Sequence, residues 1–236
     1  MTYSKKFQNF IEIWQNDFAI ERSMDEQVCT DKDGNALPWY TYPAIEYLSQ
    51  FDYRQKNVFE FGCGYSSLFW ANRAKKVISI EDNTEWFAKW RKEFCCSNLD
   101  IRLRDEGKNY YKAICEDTEK YDVIIIDGKC RAECAAHAIL KLNDNGMIIL
   151  DDSDRVNTSR EYVDAIRILK EHNLIQVDFY GFCPLNNYTK TTSLFLSRTF
   201  NFSSKNDVQP INGIGNLWGR KRRERKEFYK ENISEP

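Results

Sequence analysis

The chain has 236 residues, 14% of them aromatic, and sets 34 lysines and arginines against 36 acids for a formal charge of −2. That length suits one domain with extensions, and the near-neutral balance offers no global basic footprint for nucleic acid. No run approaches the roughly 20 apolar residues of a membrane span, and Met1 to Lys6 lacks the apolar core of a signal peptide, so a cytoplasmic address is expected. Eight cysteines without regular spacing or a C-x-x-C pair read as reduced thiols, not as a disulfide framework or a structural zinc site.

Phe7, Phe10, Ile11, Trp14 and Phe18 recur at helical spacing and predict an amphipathic helix over 7–20, packed on the core or on a partner. A polar turn at 31–35 follows, then Pro38-Trp39-Tyr40-Thr41-Tyr42-Pro43 and a short helix ending near Phe51. Strands are expected at 57–61, 76–81, 100–104, 121–127, 146–150, 174–180 and 192–197. Helices are expected near 66–74, 84–95, 108–116, 131–142 and 158–170, the last opened by a Thr158-Ser159-Arg160-Glu161 capping box. Val123 to Ile126 and Met147 to Leu150 are continuous apolar runs, as in strands buried on both faces of a parallel sheet. The last two strands are joined by 181–191, too short for a crossover helix, and should form an antiparallel hairpin. The class is therefore α/β, divided into an N-terminal helical extension and aromatic lid segment (1–52), a cofactor-binding domain (53–198) and a polar tail (199–236). The tail's basic run, Arg220 to Lys226, reads as a solvated helix or tail ahead of a partner-binding element.

The chemistry is announced at Val58-Phe59-Glu60-Phe61-Gly62-Cys63-Gly64-Tyr65-Ser66-Ser67, an apolar strand that runs into a glycine turn and a helix. Glycines permit a tight turn and close approach of a ligand to backbone. A second strand, Val77 to Ile80, ends in Glu81 about twenty residues on, where a carboxylate can accept from both hydroxyls of a ribose. Ser67 stands where a dinucleotide fingerprint has its last glycine, and Glu60 adds charge that pyrophosphate would disfavour and a cationic ligand would welcome. Glu60, Glu81, Asp105, Asp127, Asp151 and Asp152 each follow an apolar run, so acids crowd the carboxyl edge of the sheet; such a rim repels itself unless cations or donors sit there.

From Asn57 to Ser197 this order of motifs resembles the class I S-adenosylmethionine-dependent methyltransferases, whose first motif is a hydrophobic strand, an acid and then G-x-G. The resemblance implies a three-layer Rossmann-like methyltransferase fold, a mostly parallel seven-stranded sheet ending in an antiparallel hairpin. It implies that Glu60, Gly62, Cys63, Gly64, Tyr65 and Ser66 hold the methionine end of S-adenosyl-L-methionine, Glu81 its ribose and Asp105 its adenine. Asp127 would serve as base and meet the cofactor. By similarity to catechol-type and macrolide-sugar O-methyltransferases, Asp127, Asp151 and Asp152 could instead bind Mg²⁺ or another divalent cation.

Neither histidine is well placed for a base: His137 shares a helix face with Cys130 and Cys134, a weak soft-metal set, and His172 lies at the end of the sheet opposite the acids. Trp39, Tyr40, Tyr42 and Tyr188 are candidates to line the acceptor site, suiting a saccharide or other small polyhydroxylated molecule. The expected function is O-methylation of such an acceptor, with no nucleic acid partner and room for a homo-oligomer. A nicotinamide-dependent oxidoreductase and a non-catalytic scaffold of the same fold are the alternatives.

Overall fold

A computed structural model describes residues 3–219; the basic run 220–226 lies outside the described residues. Seven strands form one sheet: β1 (Asn57–Phe61), β2 (Lys76–Glu81), β3 (Leu99–Leu103), β4 (Tyr121–Ile126), β5 (Leu142–Leu150), β6 (Ile175–Gly181) and β7 (Lys190–Leu196). Their spatial order is β3-β2-β1-β4-β5-β7-β6. The first five are parallel, while β7 runs antiparallel to both β5 and β6, as the short connection requires. The order in which the chain adds strands reverses between β1 and β4, the strands themselves staying parallel, and this opens a crevice at their carboxyl ends.

The two apolar runs are buried on both faces, as expected. Val123, Ile125, Met147 and Ile149 enter one core and Ile124, Ile126, Ile148 and Leu150 the other, each wholly inaccessible. Alternation of side chains along a strand makes the division. The first core is closed by α3 (Tyr42–Leu48) and α4 (Tyr65–Ala71), the second by α7 (Arg131–Lys141) and α8 (Arg160–Glu171). The remaining helices are α1 (Lys5–Glu12), α2 (Ile20–Glu26), α5 (Thr84–Glu93) and α6 (Lys108–Tyr111).

Several local expectations are corrected. The helix expected over 7–20 is broken: α1 passes into a π-helical turn at Ile13–Asp17, and Ala19 takes a left-handed backbone (φ 51) before α2. Trp14 and Phe18 are thereby turned onto Tyr42, with ring centroids 6.1 and 4.7 Å away, while Phe7 and Phe10 stay exposed. The capping box does not form, because Ser159 caps α8 without a side-chain bond and the Glu161 carboxylate instead accepts from the Arg131 N–H at 3.3 Å. On α7 the inward face is Arg131, Cys134, Ala135 and Ala138, leaving Leu140 exposed. Cys134 is thus a core residue whose Sγ donates to the Lys129 carbonyl, which takes it out of the Cys130/His137 set.

Residues 199–219 do not trail away. Asp52 N–H donates to the Ser203 carbonyl at 2.9 Å, Lys205 N–H to the Gln50 carbonyl at 2.7 Å, and Phe202 is buried against Phe51 and Tyr53. Among the described residues no helix is long and apolar enough to cross a membrane.

Candidate functional site

A cavity of about 690 Å³, within the usual 300–1,000 Å³ of ligand sites, lies at the crevice between β1 and β4. Five strand ends feed it in spatial order: Glu81 from β2, Gly62 and Cys63 after β1, Asp127 after β4, Asp151 and Asp152 after β5, and Lys190 at the start of β7. The last belongs there because β7 is antiparallel, so its first residue reaches the edge where the parallel strands finish.

At one end, Gly62 takes a left-handed backbone (φ 109) that brings it against the Asp127 and Gly128 backbone, and a Cβ there would lie 3.4 Å from the Asp127 carbonyl carbon. The buried Glu81 carboxylate accepts from the N–H groups of Cys63 (3.2 Å), Asp82 (3.0 Å) and Asn83 (2.9 Å). Burial raises its pKa against those bonds. Trp86 covers the turn, its Nε1 donating to the Cys63 carbonyl at 2.7 Å. Ser66 completes this wall.

Glu60, Gly64, Tyr65 and Asp105 are not among the lining residues. Glu60 lies beneath the turn, 1% exposed, with Oε2 accepting from Ser67 Oγ (2.5 Å) and Ser79 Oγ (2.8 Å), and Ser67 Oγ accepting from the Gly64 N–H (3.2 Å). It reaches the turn through a serine. Tyr65 packs on Trp90, and Asp105 is exposed while its neighbour Glu106 faces the cavity.

At the other end, Asp127 is one-quarter exposed and stands 3.4 Å from Arg131 Nη2. Removal from bulk water and the neighbouring Asp151 push its carboxyl up to about 7, against the pull of Arg131 and Lys190. Consecutive residues of a strand point to opposite faces, yet Asp151 and Asp152 converge, because Asp152 breaks the strand with a left-handed backbone (φ 56). Both then bind the Lys190 ammonium, Asp152 at 3.0 Å, and Thr192 Oγ1 donates to Asp151 at 2.6 Å. Burial alone would lower the Lys190 pKa, but the Asp151, Asp127 and Asp152 carboxylates outweigh it and raise it. Arg155 Nη2 also meets Asp152 at 2.8 Å. Arg131 is anchored by the Asp151 carbonyl (2.8 Å), the Ile126 carbonyl (3.1 Å) and the Tyr162 ring (4.7 Å).

Trp39 and Tyr188 line this end, both exposed, and Trp39 Nε1 donates to the buried Asn186 at 3.1 Å. Tyr40 and Tyr42 do not line it. Tyr40 is wholly buried with its hydroxyl accepting from Trp70 Nε1 at 3.5 Å, and Tyr42 packs among Trp14 and Phe18. Both belong to the core.

Reasoning from sequence missed Lys190, Arg131 and Arg155. Two carried signals: an arginine in the first turn of α7 opposes the helix dipole, and a lysine heads the otherwise uncharged run Thr191 to Leu196. Each needs an acid to explain it. His172 lies at the start of the chain leading into β6, away from the cavity, as expected, and His137 packs at a tilt against Tyr111.

No protein-family model matches the chain, and no curated protein matches it in sequence. Solved structures do resemble it. The O-methyltransferase TomG of Streptomyces achromogenes, involved in tomaymycin synthesis and solved with S-adenosylmethionine, aligns over 83% of this chain and 91% of its own at a TM-score of 0.52 and 11% identity. The precorrin-6y C5,15-methyltransferase of Geobacter metallireducens aligns over 74% and 96% at 0.51 and 15% identity. The fibrillarin pre-rRNA processing protein of Methanococcus jannaschii aligns over 67% and 76% at 0.50 and 17% identity. The seven-stranded sheet, parallel but for its antiparallel return strand, gives this chain the fold of the class I S-adenosylmethionine-dependent methyltransferases.

Proposed function

We propose that this protein is an S-adenosylmethionine-dependent methyltransferase that methylates an oxygen of a small, saccharide-like acceptor. The observation that carries the reading is the pairing of the left-handed Gly62 turn with the buried Glu81 carboxylate at the switch point of the sheet. Seven acids against four bases line the cavity, which favours a cationic sulfonium nucleoside over a dinucleotide that brings two phosphates. The residues also fit such a group by shape. A Cβ on the buried Gly64 would meet no atom within 4 Å, and Glu60 keeps Oε1 without a partner beneath the same turn.

When bound, the cofactor supplies a methyl group already activated on sulfur. The chain's own task is alignment and proton removal. Cys63, Ser66 and Glu81 hold one end, and Trp39, Asn186 and Tyr188 position the acceptor at the other. Asp127 lies between them and takes the acceptor's proton, with Arg131 fixing its carboxylate. Eight unpaired thiols suit a cytoplasmic setting.

Calorimetric titration with S-adenosylmethionine, its demethylated product and NAD tests the reading: the first two should bind and NAD should not. Asp127→Asn should keep cofactor affinity and lose about 10²–10⁴-fold in transfer of labelled methyl to a sugar panel. Because the base works deprotonated, the wild-type rate should rise with pH through about 7. Binding of NAD alone would overturn the assignment.

A further inference from the structure

The acids that by type and closeness suit a hard cation already have cations. Asp127, Asp151 and Asp152 bring carboxylate oxygens within 4.8 Å of one another. Hard divalent ions take such oxygens directly, at about 2.0–2.6 Å. Here Lys190 bonds to both Asp151 and Asp152, Arg155 bonds to Asp152, and Arg131 lies 3.4 Å from Asp127 and 3.9 Å from Asp152. Three carboxylates thus face three basic groups.

Lys190 is the decisive member. Its side chain is 7% exposed, so unlike a surface lysine it cannot swing into water when another cation arrives. A divalent ion would stand beside an ammonium that holds two of its own ligands, and like charges repel strongly in so dry a place. An ammonium carries three N–H donors. Two go to Asp151 and Asp152, and the group also faces the Trp39 ring, its nitrogen 5.8 Å from the centroid, on the wall of the cavity.

We propose that the Lys190 ammonium occupies the place of a divalent cation in this cavity, and that it offers its remaining N–H to the acceptor oxygen beside Asp127. The charge that steadies an oxygen losing its proton is then part of the chain. The second half of this inference rests on the methyl-transfer reading; the first does not, and a binding measurement free of turnover tests it alone.

Free Mn²⁺ is followed by its paramagnetic resonance signal as the wild-type protein, Lys190→Met and Asp152→Asn are added in turn. Wild type should leave Mn²⁺ free up to about 1 mM, and Lys190→Met, which keeps the length of the side chain without its charge, should bind at least about tenfold more tightly. Wild-type binding below about 100 μM that Asp152→Asn abolishes would overturn the proposal, as would a folded Lys190→Met that gains no affinity. Should Lys190→Met fail to fold, chelation decides. Methyl transfer by the wild type is expected to be the same in EDTA and in Mg²⁺, and a loss in EDTA restored by Mg²⁺ refutes the proposal. Failure to bind S-adenosylmethionine would instead strike the functional reading and leave the cation result standing. In a folded Lys190→Met the acceptor KM should rise and kcat fall with cofactor affinity unchanged, a split that a merely structural lysine would not give.

Discussion

Glu60 shows how one acid can serve a turn it does not touch. Its buried carboxyl receives the Ser67 and Ser79 hydroxyls, and Ser67 in turn holds the Gly64 N–H, so the shape of the glycine turn is tied to a strand residue. Burial raises its pKa from 4.5 to about 7, opposed by those hydroxyls. The folded state therefore keeps a proton that the unfolded chain releases. This stabilisation is complete below about 4.5 and is lost as pH rises through about 7. The shift corresponds to about 3 kcal/mol, and Glu60→Gln should remove that pH dependence. Urea unfolding of both proteins at pH 5 and pH 8 measures it; parallel behaviour of the two would show that Glu60 does not hold a proton in the fold.

Elements meet at this site with little clearance. Gly128, next to Asp127, would carry a Cβ 1.8 Å from the Tyr110 hydroxyl and 3.2 Å from the Phe61 carbonyl. Tyr110, on α6, is wholly buried beside Phe61, so its ring has to shift before a Cβ can fit. Gly128→Ala should cost about 1–3 kcal/mol by overpacking, and a Tyr110→Phe background should recover part of it because the clashing oxygen is gone. Thermal unfolding of the single and double variants provides the comparison, and an unchanged single variant would mean that α6 yields freely. At this scale the sequence was legible where signals are local and continuous, as in β4 and β5. It misled where a side chain had two suitors: Glu161 reads as a capping-box member, yet Arg131 N–H on the neighbouring helix claims it. The break at Ala19 carries neither glycine nor proline to announce it.

For the whole molecule, the segment after β7 is part of the fold. Phe202 is 7% exposed, packs at a tilt with its ring centroid 4.7 Å from that of Phe200, and lies under the Lys56 ammonium at 4.2 Å. Phe202→Ala should destabilise by about 3–5 kcal/mol, seen as a lower denaturant midpoint, whereas a free tail would leave the midpoint where it is. Polar composition hid this role, since burial of a few aromatics among many polar residues leaves no periodic trace.

The sequence alone determined the layered α/β class, the strand carrying the glycine turn and the acids along one sheet edge, because each depends on residues adjacent in the chain. Only the tertiary structure decided what those acids hold. Asp151 and Asp152 meet a lysine 39 and 38 residues away, brought back by an antiparallel strand, and nothing within either segment encodes that meeting. It sent Tyr40 and Tyr42 inward while leaving Trp39 and Tyr188 at the cavity for the same reason: in a chain this rich in aromatics, packing between distant elements selects which rings are covered.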